Sequence, residues 1–292
     1  MKILVTGANG QVGFCLQQEL ANGGHDFLAL PKSELDISNL PAVIAYCQDY
    51  RPNIIINAAA YTAVDKAESD QENAYKINRD GAANLASAAN EIDAAIFHIS
   101  TDYVFSGSEN GFYKESDTTN PQGIYGKSKL DGELAVISAN KKHIILRTAW
   151  VFGEHGNNFV KTMLRLGKTR DVLGVVADQY GGPTYAGDIS KALVKIASQY
   201  ETNPNLNWGV YHYSGAPHTN WFEFASAIFE KANEQCILNN PNLKINPIAT
   251  ADYPTPAKRP ANSKLDCNKI DEIFGIKPSA WSQALDNISA YG

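Results

Sequence analysis

Cysteine is scarce in this chain, and the few residues present are scattered. The 292 residues contain four, Cys15, Cys47, Cys236 and Cys267, with no Cys-x-x-Cys pair among them. That spacing excludes a disulfide scaffold and a zinc site, so no metal is expected. Long apolar runs are missing too. No uninterrupted stretch approaches the roughly 20 residues of a membrane helix, and no membrane partner is expected. The apolar run at the N-terminus is too short for a signal peptide and has no small-residue cleavage site after it, so the expected location is cytoplasmic. Nor is there an excess of positive charge. Lys and Arg total 25 against 31 Asp and Glu, a formal charge of −6. A nucleic-acid binder needs a basic face to neutralise phosphates, so that class is excluded, whereas a local basic pocket for one anionic ligand is not.

What is present is a globular composition, 44% hydrophobic and 19% charged, over a length of about two ordinary domains. Such a chain can bury a large core without metal or disulfide staples. In the first half, short apolar runs at residues 2–6, 25–30, 53–57, 94–100 and 143–148 read as strands. Helical patterns at residues 13–21, 40–50, 68–90 and 125–138 separate them. The run Asn53-Ile54-Ile55-Ile56-Asn57 is continuously apolar inside, as in a strand buried on both faces. This alternation predicts a doubly wound α/β domain with a parallel sheet over residues 1–150. Beyond Trp150 the pattern loosens. Helices are expected at 160–166, 187–198 and 221–232, a short strand at 210–213, and extended chain through the prolines of 241–260. Residues 151–292 are expected to form a smaller lobe packed against the first domain, with some segments returning to it.

The first strand runs directly into Gly7-Ala8-Asn9-Gly10-Gln11-Val12-Gly13, which opens the first helix. A lone glycine motif is weak, but this placement suits a dinucleotide fold. Glycines permit a tight turn and close approach to a pyrophosphate, which would rest on the free N–H groups at the helix start. The alternative is a tight strand–helix turn without a ligand. An acid at the end of the second strand would favour NADH by binding the ribose 2′-hydroxyl. Here that strand ends Leu28-Ala29-Leu30-Pro31-Lys32-Ser33, and Lys32 suits a 2′-phosphate, so the lean is to NADPH. Asp36-Ile37 follows and either meets the adenine or, through Asp36, caps the next helix.

Tyr125-Gly126-Lys127-Ser128-Lys129 places a tyrosine and a lysine four residues apart, on one face of a predicted helix. A free phenol titrates near pKa ~10, and a neighbouring ammonium draws it down toward a usable acid or base. By itself the pair reads more readily as a surface contact. The fourth strand, however, ends Ser100-Thr101-Asp102-Tyr103, and the third ends Asn57-Ala58-Ala59-Ala60. In an open α/β sheet the carboxyl ends of strands face the ligand crevice. Hydroxyls at 100 and 101 would then hold a substrate oxygen beside Tyr125. His98 and His212, inside apolar strands, read as packed core residues, and 66–72 as a solvated helix face.

Taken together, the glycine turn, Asn57-Ala58-Ala59-Ala60, Ser100-Thr101-Asp102 and Tyr125-x-x-x-Lys129 resemble the extended short-chain dehydrogenase/reductase family. Within it the chain is similar to the sugar-nucleotide ketoreductases, through NAAAYTAVDKA (57–67), STDYVF (100–105), YGKSKL (125–130), LRTAWVFG (146–153), DQYGGPT (178–184) and RPANSKLD (259–266). The resemblance implies a Rossmann domain, NADPH or NADH as cofactor, and a dTDP-4-keto-6-deoxy-L-sugar as substrate. It implies Tyr125 as proton donor, Lys129 as holder of the nicotinamide ribose, and Thr101 as hydrogen-bond partner of the reacting oxygen. Gly7, Asn9, Gly10, Gln11, Val12, Gly13, Asp36, Ile37, Ala58, Ala59 and Ala60 would line the cofactor. Val64, Asp102, Tyr103 and Trp150 would contact the sugar nucleotide. Arg259 is either a diphosphate ligand or a structural ion pair.

Two positions refine this. Related dehydratases follow the threonine with Asp-Glu, since eliminating water needs an extra acid and base. Here Thr101 is followed by Asp102-Tyr103, which favours simple reduction. Some reductases of the family form a magnesium-bridged homodimer through a glutamate after the glycine turn. Cys15 stands at that position and is a poor ligand for a hard cation, so magnesium is not expected and a homodimer is left open. The other readings are a ketoreductase for a different sugar nucleotide, and a cofactor-binding regulatory subunit without catalysis.

Overall fold

The computed structural model describes residues 1–238 and 240–292. Alternation of apolar runs and helical stretches gives β1 (Lys2–Thr6), α1 (Gln11–Asn22), β2 (Asp26–Leu30), α2 (Leu40–Tyr50) and β3 (Ile54–Asn57). Three short segments follow, α3 (Val64–Ala67), α4 (Gln71–Tyr75) and a π turn (Lys76–Gly81). Then come α5 (Ala82–Glu91), β4 (Ala95–Thr101), α6 (Ile124–Ala139) and β5 (His143–Thr148). All four residues of β3 are buried, as a strand covered on both faces requires. The six strands of the main sheet are parallel, in the order β10-β5-β4-β3-β1-β2, where β10 is Gly209–His212 from the second half. Strand order reverses at β1, whose neighbours are β2 and β3. The crevice outside Thr6 and Asn57 is therefore the switch point at which such sheets bind ligands.

The first-half strands and most helices lie within a residue or two of where the pattern puts them. The helix expected over 68–90 does not run unbroken. The chain turns at Glu68-Ser69, and the π turn then lifts the Asn78 carbonyl onto α6. A Cβ on Gly132 would lie 2.1 Å from that oxygen, so the glycine makes room for it. The bulge also aims the Asn78 side chain at the backbone of Tyr61 and at the Ser128 hydroxyl, tying the segment after β3 to α6. Nor is 241–260 wholly irregular: β12 (Lys244–Ile248) pairs in parallel with β7 (Val172–Val176).

The sheet is covered on both faces. Leu4, Val43, Ile55, Leu85 and Val136 build one core, with α2, α5 and α6. Ile3, Val5, Leu16, Ile189, Leu193 and Phe274 build the other, where α1 meets α8 (Ala186–Thr202) and α10 (Asn268–Phe274). A third core, with Phe152, Leu164, Phe224, Ile228 and Trp281, gathers α7 (Phe159–Gly167), α9 (Trp221–Glu234) and the C-terminal turns.

A buried ion pair pins α6 to the sheet. Arg147 of β5 grips Glu133 in two-pronged fashion, with Nε–Oε1 2.9 Å and Nη2–Oε2 2.7 Å. The two side chains are 5% and 1% exposed. Tyr125, Lys129 and Glu133 recur every four residues on α6, so this clamp fixes the stripe that carries the first two. Removing one partner leaves a buried charge uncompensated. Glu133→Ala is expected to lose about 3–5 kcal/mol of stability in chemical denaturation, and a Glu133→Leu/Arg147→Leu double variant distinctly less.

Candidate active site

The turn after β1 is shaped by contacts that exclude side chains. Gly7 has φ +73°, and a Cβ there would come within 2.7 Å of the Ala58 carbonyl. A Cβ on Gly13 would lie 2.1 Å from the Gly7 oxygen. Asn9 is exposed at the tip. Gly10 ends the turn in an extended conformation as the N-cap of α1, where no side chain caps the helix and no acid occupies its first turn. The N–H groups of that first turn therefore remain available to an anion. Gly10, Gln11, Val12, Ala58, Ala59 and Ala60 line one side of a cleft of about 640 Å³.

Asp36 and Ile37 do not line that cleft. The Ile37 side chain is buried in the core against Gly81, and its carbonyl accepts from Asn84. Asp36 does not cap α2, because Asn39 does, accepting from the Ala42 N–H. Asp36 instead accepts from the Ser38 hydroxyl and N–H, which hold its carboxyl below the usual range. Lys32 and Lys76 add to that lowering, so two ammonium groups lie near Asp36.

On the other side the cleft receives Thr101, Asp102, Tyr103, Tyr125, Lys129, Val64 and Trp150. Thr101 closes β4, and its Oγ1 donates to Asp102 Oδ1 at 3.0 Å while accepting the Tyr103 N–H. Tyr125 opens α6 beneath Tyr103, edge-on at 5.4 Å between ring centres. Burial pushes the Tyr125 phenol above its ordinary pKa, with the Thr101 hydroxyl pulling the other way. Lys129 does not bring it down in this arrangement, contrary to the simple expectation. Its Nζ is turned to the Ile99 carbonyl at 2.7 Å and is itself lowered to about 8 by burial, against the pull of Glu133. Among the described residues, the Ser100 and Thr148 hydroxyls in the wall of the cleft are buried without a hydrogen-bond partner.

Arg259 lies at the mouth of the cleft rather than in its lining. Its guanidinium pairs with Asp65 at 2.6 Å and reaches the Tyr103 hydroxyl at 3.3 Å. Three contacts escaped the sequence. Ser263 hydrogen-bonds Asp102 Oδ2 at 2.5 Å, Trp221 stacks on Trp150 at 3.6 Å, and Asn158 bonds Gln11 at 3.0 Å. Each joins the second half to the cleft. Ser263 lies in RPANSKLD and Trp150 in LRTAWVFG, but nothing local in either segment names the partner. Among the described residues, no three His, Cys, Asp or Glu side chains gather to hold a metal. Among them, too, no helix is long and apolar enough to cross a membrane.

With this geometry in place, comparison with known proteins is decisive. Residues 1–291 match the family described as RmlD substrate binding domain. A dTDP-4-dehydrorhamnose reductase of Aggregatibacter actinomycetemcomitans is 53% identical over 99% of both chains. The chain belongs to the dTDP-4-dehydrorhamnose reductase family. Solved structures of the family agree in fold. That of the Clostridium acetobutylicum reductase superposes with a TM-score of 0.91 at 41% identity, covering 99% of this chain and 98% of the other. The Bacillus anthracis reductase, solved in complex with NADP, gives 0.89 at 40% identity, covering 100% and 99%.

Asp102 offers a direct check on the site's electrostatics. Burial raises its carboxyl to about 6, while Ser263 and Thr101 hold it down by hydrogen bonds to the charged form. Ser263→Ala removes one of those bonds. The Asp102 carboxyl, followed by carbon-13 NMR, is expected to titrate above its wild-type value; an unchanged or lower value contradicts this geometry.

Proposed function

We propose that this chain reduces the C4 ketone of dTDP-4-dehydrorhamnose (dTDP-4-dehydro-6-deoxy-L-mannose) to the alcohol of dTDP-L-rhamnose, using NADPH or NADH. The observation that carries the reading is convergence. Thr101, Tyr125 and Lys129 face one cleft with the uncapped start of α1 and two orphaned hydroxyls. The residues fit a reduced dinucleotide. The glycine turn leaves room for a diphosphate on the N–H groups of Gln11 and Val12, and the small Ala58, Ala59 and Ala60 let the cofactor approach β3. Lys32, two residues past β2, and Lys76, which shares with it the neighbourhood of Asp36, favour a 2′-phosphate, hence NADPH. Residues 1–150 then serve mainly the cofactor and residues 151–292 mainly the sugar nucleotide, in the cytoplasm.

When bound, the nicotinamide supplies a hydride to the ketone carbon. The chain supplies the proton and the geometry. A phenol held above its ordinary pKa stays protonated at neutral pH, which is the state a donor needs before the oxygen becomes an alkoxide. Tyr125 gives that proton, Thr101 turns its hydroxyl from Asp102 to the reacting oxygen, and the Lys129 ammonium offsets the phenolate left behind. Val64, Asp102, Tyr103 and Trp150 seat the sugar nucleotide. Arg259 exchanges its half-exposed Asp65 partner for the diphosphate, a modest loss because such pairs are worth about 1 kcal/mol or less. Remote binding energy thereby orients the ketone.

The test is loss of the reduced-nicotinamide absorbance at about 340 nm with the keto-sugar generated in situ. Oxidation that requires both protein and keto-sugar, with dTDP-L-rhamnose formed, is expected. Cofactor binding without turnover would point to another keto-sugar or to a regulatory subunit. Tyr125→Phe is expected to lower kcat by about 10²–10⁴, the usual range for a lost general acid, with cofactor affinity largely kept. Full activity in that variant would remove Tyr125 from its role.

A further inference from the structure

One buried polar chain has no part in the proton transfer described above. It starts under the glycine turn, where the Thr6 hydroxyl donates to Asn57 Oδ1 at 2.8 Å. The same oxygen accepts the Ala59 N–H at 3.1 Å. A backbone N–H can only donate, so this atom is the amide oxygen. The Asn57 amide nitrogen therefore faces the other way, onto His98 Nδ1 at 3.0 Å. It donates there, so Nδ1 presents its lone pair and the proton of the neutral ring sits on Nε2. His98 is 1% exposed, and burial holds its pKa well below the ordinary value, so the ring stays neutral. Its Nε2–H then meets Lys129 Nζ at 3.3 Å, donor against donor. Among the described residues the acceptor bonded to Nζ is the Ile99 carbonyl.

We propose that His98 is a positioning residue: locked by Asn57 as the Nε2–H tautomer, it denies Lys129 a second acceptor on the sheet. The ammonium hydrogens not used by Ile99 are thereby kept for a ligand in the cleft. An acceptor at position 98 would take one of them and anchor the lysine to β4. The identity of the ligand, the ribose hydroxyls of a reduced dinucleotide, rests on the reading above; the tautomer does not. The other groups around Nζ do not remove the effect. Tyr125 and Glu133 flank Lys129 on α6, Glu133 is engaged by Arg147 of β5, and Asp102 beyond β4 is engaged by Thr101 and Ser263.

The tautomer is read directly by long-range proton–nitrogen NMR of the free protein, with the His98 signals assigned by their loss in His98→Gln. A protonated Nε2 and a bare Nδ1 are expected between about pH 6 and 8, where an ordinary histidine would titrate. A proton on Nδ1, or an imidazolium, overturns the proposal. The consequence is read by dinucleotide binding, followed through reduced-nicotinamide fluorescence across pH. The side-chain carbonyl introduced by His98→Gln can turn toward Nζ. The dissociation constant of that variant near neutral pH is then expected to rise about fivefold, the size of one hydrogen bond. The pH above which binding weakens should also move upward, because a second acceptor stabilises the ammonium. Equal weakening at every pH, with that break unmoved, marks mere packing damage and overturns the proposal. A wild-type protein that binds neither NADPH nor NADH overturns the functional reading instead, and the tautomer measurement still decides His98.

Discussion

Lys129 is 2% exposed, and much of the cleft is arranged by the cost of keeping an ammonium there. Its ammonium donates to the Ile99 carbonyl of β4. Its position on α6 requires that helix to press against the sheet, which the Glu133–Arg147 pair enforces from one turn further on. Gly132 allows the close approach by leaving room for the Asn78 carbonyl, and the same π turn ties the wall after β3 to α6. Lys129, Tyr125 and the wall after β3 are thus held by one connected set of contacts. A shift of α6 would disturb them together.

The two halves of the chain share the core under α1 and α8, and around the cleft they also meet through polar and aromatic contacts. Asp65 with Arg259, Asp102 with Ser263, Gln11 with Asn158, and Trp150 on Trp221 each cross from one half to the other. Such contacts are individually modest and can be exchanged for those of a ligand. That suits a site which must admit a large dinucleotide and a large sugar nucleotide and set a ketone between them. The buried cores on either side of the sheet supply the rigidity these contacts do not.

The sequence was most informative where chemistry is local. The glycine turn announced itself because only glycine tolerates the approach of Gly7 to Ala58 and of Gly13 to Gly7. The Tyr125–Lys129 pair did so because helical spacing is fixed. The continuous apolar run of β3 revealed a strand covered on both faces. Failure came where the determining contact is distant in sequence. Asp36 looked like a helix cap, but Asn39 three residues on takes that role. The burial of the Ile37 side chain against Gly81, far along the chain, was likewise not visible. The unbroken helix over 68–90 overlooked a bulge whose cause, Gly132, lies some fifty residues further on. His98 was correctly read as buried, yet its partners Asn57 and Lys129 come from other elements, and so its hydrogen-bonding state was invisible.

In this cleft hydride and proton reach the sugar from different donors. The most direct test is isotopic: the reaction run with reduced nicotinamide deuterated at C4 of the transferring face, and the sugar product read by NMR and mass spectrometry. One deuterium at C4 of the product sugar, with none lost to solvent, is the predicted result. Product without deuterium at C4, or with it at another carbon, would contradict direct reduction of the C4 ketone in this cleft.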